Sequence, residues 1–195
     1  ARGNAENGSY SGHVRIYQLD NNSWTQIGND IDGEAEQDES GRSVSLSADG
    51  SVVAIGASGN DGNGTNSGHV RIYQLDNNSW TQIGNDIDGE AEGDYSGYSV
   101  SLSAEGSIVA IGARGNAENG SYSGHVRIYQ LDNNSWTQIG DDINGEVFSD
   151  NSGWSVSISN DGSVVAVGAV NNDGNGNDSG HVRIYQLDNN SWTQI

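Results

Sequence analysis

The sequence predicts an all-β chain of repeated four-stranded antiparallel units, and three observations carry that prediction. The seventeen residues SGHVRIYQLDNNSWTQI at 11–27 recur without a substitution at 67–83, 123–139 and 179–195, which sets the marker glycines Gly12, Gly68, Gly124 and Gly180 56 residues apart. A fixed period of this length marks a repeat architecture, in which each unit buries its apolar surface against a neighbour. Each period holds four short runs rich in β-branched and aromatic residues, and no stretch shows a helical period with caps. Asp-Gly and Asp-Asn-Asn turns join these runs in pairs, as in hairpins.

The unit that begins at Gly41 shows each element in turn. Ser43-Val44-Ser45-Leu46-Ser47 alternates small polar with apolar residues, which puts Val44 and Leu46 on one face of a first strand. Ala48-Asp49-Gly50 is a tight turn in which glycine can take positive φ. The run from Ser51 to Ala57 is almost continuously apolar, as expected of a strand buried on both faces. A Gly-rich polar loop at 58–67 precedes the third strand, His69 to Leu75, where Val70 and Ile72 point one way and Arg71, Tyr73 and Leu75 the other. Asp76-Asn77-Asn78 turns the chain into a fourth strand, Ser79 to Ile83, because Asn tolerates the left-handed region. An acidic segment at 84–96 then leads to the next unit.

Antiparallel units of this length are blades of a β-propeller, and the expected fold is a β-propeller-like array of four-stranded blades. A β-solenoid is the rival, but its strands run parallel, whereas the turns here are hairpin turns. The chain divides into the outer two strands of an incomplete blade at 1–27 and blade repeats at 28–83, 84–139 and 140–195. It starts and stops inside the repeat without an initiator Met, as expected of a window from a longer array or of a processed fragment.

The chain has 29 Gly, no Pro, Cys or Met, and seven Arg as its only basic residues apart from four His, against 27 acidic residues, for a formal charge of −20. Such a surface repels nucleic acid and anionic membranes and favours cations and high salt. The balance is that of an extracellular, cell-surface or halophilic protein. Without Cys there is no disulfide framework and no thiolate metal site.

At this point the residues resemble a family, the FG-GAP-type repeat of integrin-α-like β-propellers. Its Phe-Gly step matches Ser40-Gly41, Ser96-Gly97 and Ser152-Gly153. Its Gly-Ala-Pro step matches Gly56-Ala57, Gly112-Ala113 and Gly168-Ala169, and its Gly-x-Val-x-Val-Tyr strand matches Gly68 to Tyr73 and the copies of that stretch. Ser in place of Phe and the missing Pro mark a divergent branch. The calcium loop that integrin-type repeats carry between the first two strands is reduced here to Ala48-Asp49-Gly50, Ala104-Glu105-Gly106 and Asn160-Asp161-Gly162, too short to wrap a cation. The resemblance implies an extracellular role in adhesion, ligand binding or structure.

Among residues that could carry chemistry, His13, His69, His125 and His181 hold one strand position in successive blades and cannot meet one another. They are read as strand-entry residues that cap a loop or pack on a neighbour. No nucleophile elbow, zinc spacing or phosphate loop appears, which argues against an enzyme. The alternate carboxylates Asp32, Glu34, Glu36 and Asp38, repeated as Asp88, Glu90, Glu92 and Asp94, are the metal candidates and suit a hard cation such as Ca²⁺; a solvated acidic loop explains them equally. Asn-x-Ser/Thr glycosylation candidates are Asn7, Asn21, Asn63, Asn77, Asn119, Asn133, Asn177 and Asn189. Trp24, Trp80, Trp136 and Trp192 recur on the fourth strand and are expected to pack between units, with sugar stacking as the alternative. Trp154 is extra. Arg15, Arg71, Arg127 and Arg183 are expected to pair with carboxylates of a neighbouring loop.

Three functions remain open. A non-catalytic structural or adhesive array, forming a surface fibre or filament with copies of itself or further repeats as partners, fits repetition without a unique site. A ligand-binding propeller, lectin-like or integrin-like and cation-dependent, would take glycans as partners. An enzyme lacks a coherent catalytic set.

Overall fold

The computed structural model describes residues 6–195, so Asn4 and Ala5 of the first loop copy lie outside the described residues. Its strands form four antiparallel sheets in chain order. β1 (His13–Asp20) and β2 (Ser23–Asp32) make a two-stranded sheet. β3 (Ser43–Leu46), β4 (Val52–Ala57), β5 (His69–Asp76) and β6 (Ser79–Gln82) make the second, and short β7 (Ile87–Asp88) returns to pair with β5. The third repeats this with β8 (Ser96–Leu102), β9 (Ile108–Ala113), β10 (His125–Asp132), β11 (Ser135–Gln138) and β12 (Ile143–Asn144). β13 (Ser152–Ile158), β14 (Val164–Ala169), β15 (His181–Asp188) and β16 (Ser191–Gln194) form the fourth. These meandering sheets packed face to face in chain order are blades of a β-propeller.

The core lies between blades, which explains the sequence pattern strand by strand. Val53, Ile55 and Tyr73 pack back on Val14, Ile16 and Ile31 of the first sheet. Val52, Ala54, Val70 and Ile72 pack forward on Val100, Leu102, Val109 and Ile111 of the third. Both faces of β4 are therefore covered, as its unbroken apolar run predicts. The serines of the inner strand face forward and tie one blade to the next. Ser43 Oγ donates to the Gly97 carbonyl at 2.8 Å, and Ser45 Oγ accepts from the Leu102 amide at 3.0 Å. Ser99 and Ser101 repeat both bonds to Gly153 and Ile158.

The hairpin turns are as the sequence predicts. Asn77 and Asn78 both have positive φ, the backbone of a type I′ turn. In the inner turn, Asp49 accepts from the Ser51 amide and from the Ser47 and Ser51 hydroxyls, which holds its carboxyl down at about 2. That carboxylate is occupied by the turn itself.

Trp80, Trp136 and Trp192 pack at the junctions as expected, whereas Trp24, which has no preceding outer strand to lie on among the described residues, is 67 % exposed. Trp136 Nε1 donates to the Ile83 carbonyl of the preceding blade at 2.9 Å, and its ring lies on Gly84, where a Cβ would stand 2.6 Å from the ring. Trp80 and Trp192 repeat the bond to Ile27 and Ile139. Trp136→Phe keeps the ring packing and removes the bond, and is expected to lower stability by about 1 kcal/mol in urea unfolding. Trp24→Phe, on an exposed residue, is expected to change little.

The two end faces of the array are uncovered. Val182 is 66 % exposed and Ile184 43 %, whereas their copies Val126 and Ile128 are at most 1 % exposed. At the other end Val44 and Leu46 are exposed, while Val100 and Leu102 are buried. No helix among the described residues is long and apolar enough to cross a membrane.

Candidate functional site at the blade junctions

The acidic segment leaves each outer strand through a glycine that has no space for a side chain. A Cβ on Gly89 would stand 2.0 Å from the Ser67 carbonyl oxygen. Close passage brings the next residue, Glu90, onto the following blade. There Arg127 Nη1 approaches Glu90 Oε1 at 3.4 Å, and Arg127 Nη2 donates to the Asp88 carbonyl at 2.8 Å. Arg71 makes the same pair of contacts with Glu34 and Asp32, and Arg183 with Glu146 and Asn144. Arg15 instead bonds Asp30 within its own sheet at 2.7 Å. The expected pairing of arginines with neighbouring carboxylates is thus present, together with a backbone carbonyl that sequence alone does not reveal.

Two residues before each arginine stands a histidine, and these histidines gather carboxylates. His125 Nδ1 lies 3.5 Å from Asp142 Oδ2 and 3.8 Å from Glu90 Oε2. His69 Nδ1 lies 3.7 Å from Asp86 Oδ2 and 4.0 Å from Glu34 Oε2. Three groups, Glu34-His69-Asp86, Glu90-His125-Asp142 and His13-Asp30-Asp32, each bring their ligand atoms within 4.8 Å of one another. Burial first, then the Arg127 charge, pushes the His125 imidazole down to about 4 against the pull of Asp142. Burial likewise lowers His69, with Arg71 acting in the same direction and Asp86 and Glu34 opposing. Neutral imidazoles at neutral pH keep a lone pair for a cation. Burial raises the Glu90 carboxyl, with Arg127 opposing.

The eight acids singled out in the sequence take different places. Asp32, Glu34 and Glu90 join a histidine group. Asp38 and Asp94 are buried loop anchors: Asp38 accepts from the Ala35 amide at 2.9 Å and from Asn60 Nδ2 at 3.2 Å, and Asp94 does the same with Ala91 and Asn116. Glu36, Asp88 and Glu92 are exposed. At two junctions the structure joins one carboxylate of a segment to a histidine and a second acid from the next blade, whereas His13 meets two carboxylates of one segment, Asp30 and Asp32. Asp86 and Asp142 belong to the same run of alternate carboxylates but not to the eight candidates, and their place beside a histidine is not visible in the sequence because they reach it only when β5 and β10 pair with β7 and β12.

A second cluster lies where the copies differ. The Arg42 guanidinium stacks 4.1 Å from the Tyr98 ring centre, and Arg114 lies 4.5 Å from Tyr98 and 5.4 Å from Trp154. Tyr98 and Trp154 meet at 4.9 Å. Arg42, Tyr98 and Arg114 border a cleft of about 310 Å³.

The glycosylation candidates also separate. Asn21, Asn77, Asn133 and Asn189 sit in exposed turns with positive φ. Nδ2 of Asn7, Asn63 and Asn119 donates to the carbonyls of Gly33, Gly89 and Gly145, and Asn63 also reaches the Glu90 carbonyl, so these amides are in use. Asn177 Nδ2 donates to Asp178.

Comparison with known proteins places this geometry. No curated protein matches the sequence significantly. Among solved structures, a putative 6-phosphogluconolactonase from Bacteroides uniformis is 15 % identical and aligns with a TM-score of 0.62 over 95 % of this chain and 48 % of its own. Saccharomyces cerevisiae Sqt1 is 16 % identical, with a TM-score of 0.51 over 80 % of this chain and 34 % of its own. The β-propeller domain of Myceliophteria thermophila Cps50 (Swd1) is 12 % identical, with a TM-score of 0.47 over 78 % of this chain and 37 % of its own. The chain thus spans about half the length of the first of these or less. At such identities the first two are likenesses of fold. The FG-GAP repeat model matches at 31–73, 87–129 and 144–185, each match running from the end of one outer strand to the third strand of the next blade. Three tandem matches over more than half of the sequence settle the family: the chain belongs to the FG-GAP repeat family.

Proposed function

We propose that the chain is a non-catalytic structural or adhesive segment of an extracellular repeat protein, built into a surface fibre or filament by further copies of the same junction. The observation that carries this reading is the repeated junction: Val70 and Ile72 are buried against the third sheet as Val126 and Ile128 are against the fourth. Val182 and Ile184 present the forward face that Val126 and Ile128 bury elsewhere, and Val44 and Leu46 present the backward face that Val100 and Leu102 bury. Further blades are the surfaces that would cover them: a following blade on Val182 and Ile184, and an inner strand pair, beside the hairpin whose Val14 and Ile16 already cover Val53 and Ile55, on Val44 and Leu46. The high negative charge fits an extracellular setting and weakens such addition at low salt.

Light scattering and negative-stain imaging of the purified chain test this. Chains are expected to associate as salt and concentration rise, and Ile184→Asp on the forward end face is expected to abolish association. A chain that stays monomeric at high salt, or an Ile184→Asp variant that associates unchanged, overturns the reading. The cleft bordered by Arg42, Tyr98 and Arg114 favours a second reading, a ligand-binding propeller that takes glycans or other ligands with anionic groups. A glycan array with and without chelator, repeated on Arg42→Ala, distinguishes it.

A further inference from the structure

The histidine groups at the junctions contain more than a charge cluster. His125 is fully buried, neither of its ring nitrogens has a hydrogen-bond partner, and Nδ1 is directed at two carboxylates. A buried polar atom left in this way costs stability unless something satisfies it. Each carboxylate also has one oxygen anchored and the other facing the histidine. Gln138 Nε2 donates to Asp142 Oδ1 at 2.6 Å, leaving Oδ2 toward His125. Arg127 approaches Glu90 Oε1, leaving Oε2 toward His125. Gln82 and Arg71 hold Asp86 and Glu34 in the same way around His69. Outer partners that fix the ligand groups and leave one atom of each convergent are the arrangement of a metal site.

We propose that Glu34-His69-Asp86 and Glu90-His125-Asp142 each bind one divalent transition-metal ion of the zinc class, which staples a blade to the next. One imidazole and two carboxylates neutralise a 2+ ion and suit zinc, whereas Ca²⁺ asks for six or more oxygens. Bonds of about 2.0–2.2 Å place the ligand atoms of a tetrahedral zinc about 3.4 Å apart, close to the 3.5 and 3.8 Å found around His125. Glu34 and Glu90 remain about half exposed, so water can supply the fourth ligand. The site crosses the junction because the Glu follows one blade while the His and Asp belong to the next. The other junctions are not equivalent. Arg15 takes the Asp30 oxygen that corresponds to the convergent one, and Glu146-His181 has no such Asp among the described residues. The expected stoichiometry is therefore two.

The test is calorimetric titration of untagged, metal-stripped chain with Zn²⁺ alone, paired with thermal unfolding. Two equivalents are expected to bind, and the unfolding midpoint is expected to rise with zinc concentration. Glu34→Gln/Glu90→Gln and Asp86→Asn/Asp142→Asn are each expected to weaken binding about tenfold or more, by removal of a ligand. Glu36→Gln/Glu92→Gln removes the same charge from exposed acids outside the groups and is expected to bind as the unaltered chain does. Circular dichroism confirms that each variant is folded. Absence of stoichiometric binding overturns the proposal. So does equal weakening in all three double variants, which identifies diffuse attraction to the acidic surface, or Ca²⁺ binding that matches zinc in affinity.

Discussion

Ile128→Ala is expected to destabilise the chain by about 2–5 kcal/mol, the cost of a cavity in a packed core, while Ile184→Ala is expected to cost about 1 kcal/mol or less. The two isoleucines stand at the same position of the identical segment and have the same neighbours in sequence. Strand propensity and the local unfolded chain therefore cancel in the comparison. What remains is the next blade. Ile128 is buried among Val126, Ile143, Ile158 and Val165, whereas Ile184 meets no following sheet and is 43 % exposed. Urea unfolding of both variants at low salt measures the difference. Equal losses would mean that Ile184 is covered in solution by another copy, and unfolding midpoints that depend on protein concentration would show it.

Gly112→Ala is expected to cost about 3 kcal/mol, the upper range for overpacking, and to loosen the junction between the third and fourth sheets. The backbone conformation is ordinary there, so the penalty is purely steric. A Cβ on Gly112 would stand 2.1 Å from the Gly153 carbonyl oxygen and 2.4 Å from Ser99 Oγ. The hydroxyl can rotate, but the carbonyl is fixed where it accepts the Ser99 bond. Gly168→Ala is the internal control, because its Cβ would meet only Ser155 at that distance. It is expected to cost clearly less. Amide exchange that accelerates in β8, β9 and β13 in the first variant and not in the second would place the loss at the junction.

These comparisons show where sequence reading succeeds and where it stops. The strands, their hairpin order and the double-sided burial of β4 were legible, because alternation, apolar runs and Asn-Asn turns are local properties of the chain. The family was legible in the Ser-Gly, Gly-Ala and Gly-x-Val steps. The histidine groups were not, since Glu90, His125 and Asp142 come from separate stretches that meet only after two ladders and a blade junction have formed. His125 was read correctly as a strand-entry residue that cannot reach the other histidines, but its carboxylate neighbours belong to tertiary structure. Asp38 was legible as an acid but not as the anchor that closes its own loop onto Asn60. Exposure is the limiting case: Val126 and Val182 share their sequence surroundings and differ completely in burial.

The sameness of the junctions has a consequence for assembly. Every forward face is cut to the same pattern as the next, and every backward face likewise, so the contact contains almost no information about which copy belongs beside which. Chain connectivity supplies that information. A tethered neighbour acts as if present at an effective concentration on the order of millimolar, and an identical blade on a second molecule competes at its true concentration. Order in the array is therefore kept by entropy more than by recognition, and it is where the copies differ, as at Arg42, Tyr98, Arg114 and Trp154, that a blade has an address of its own.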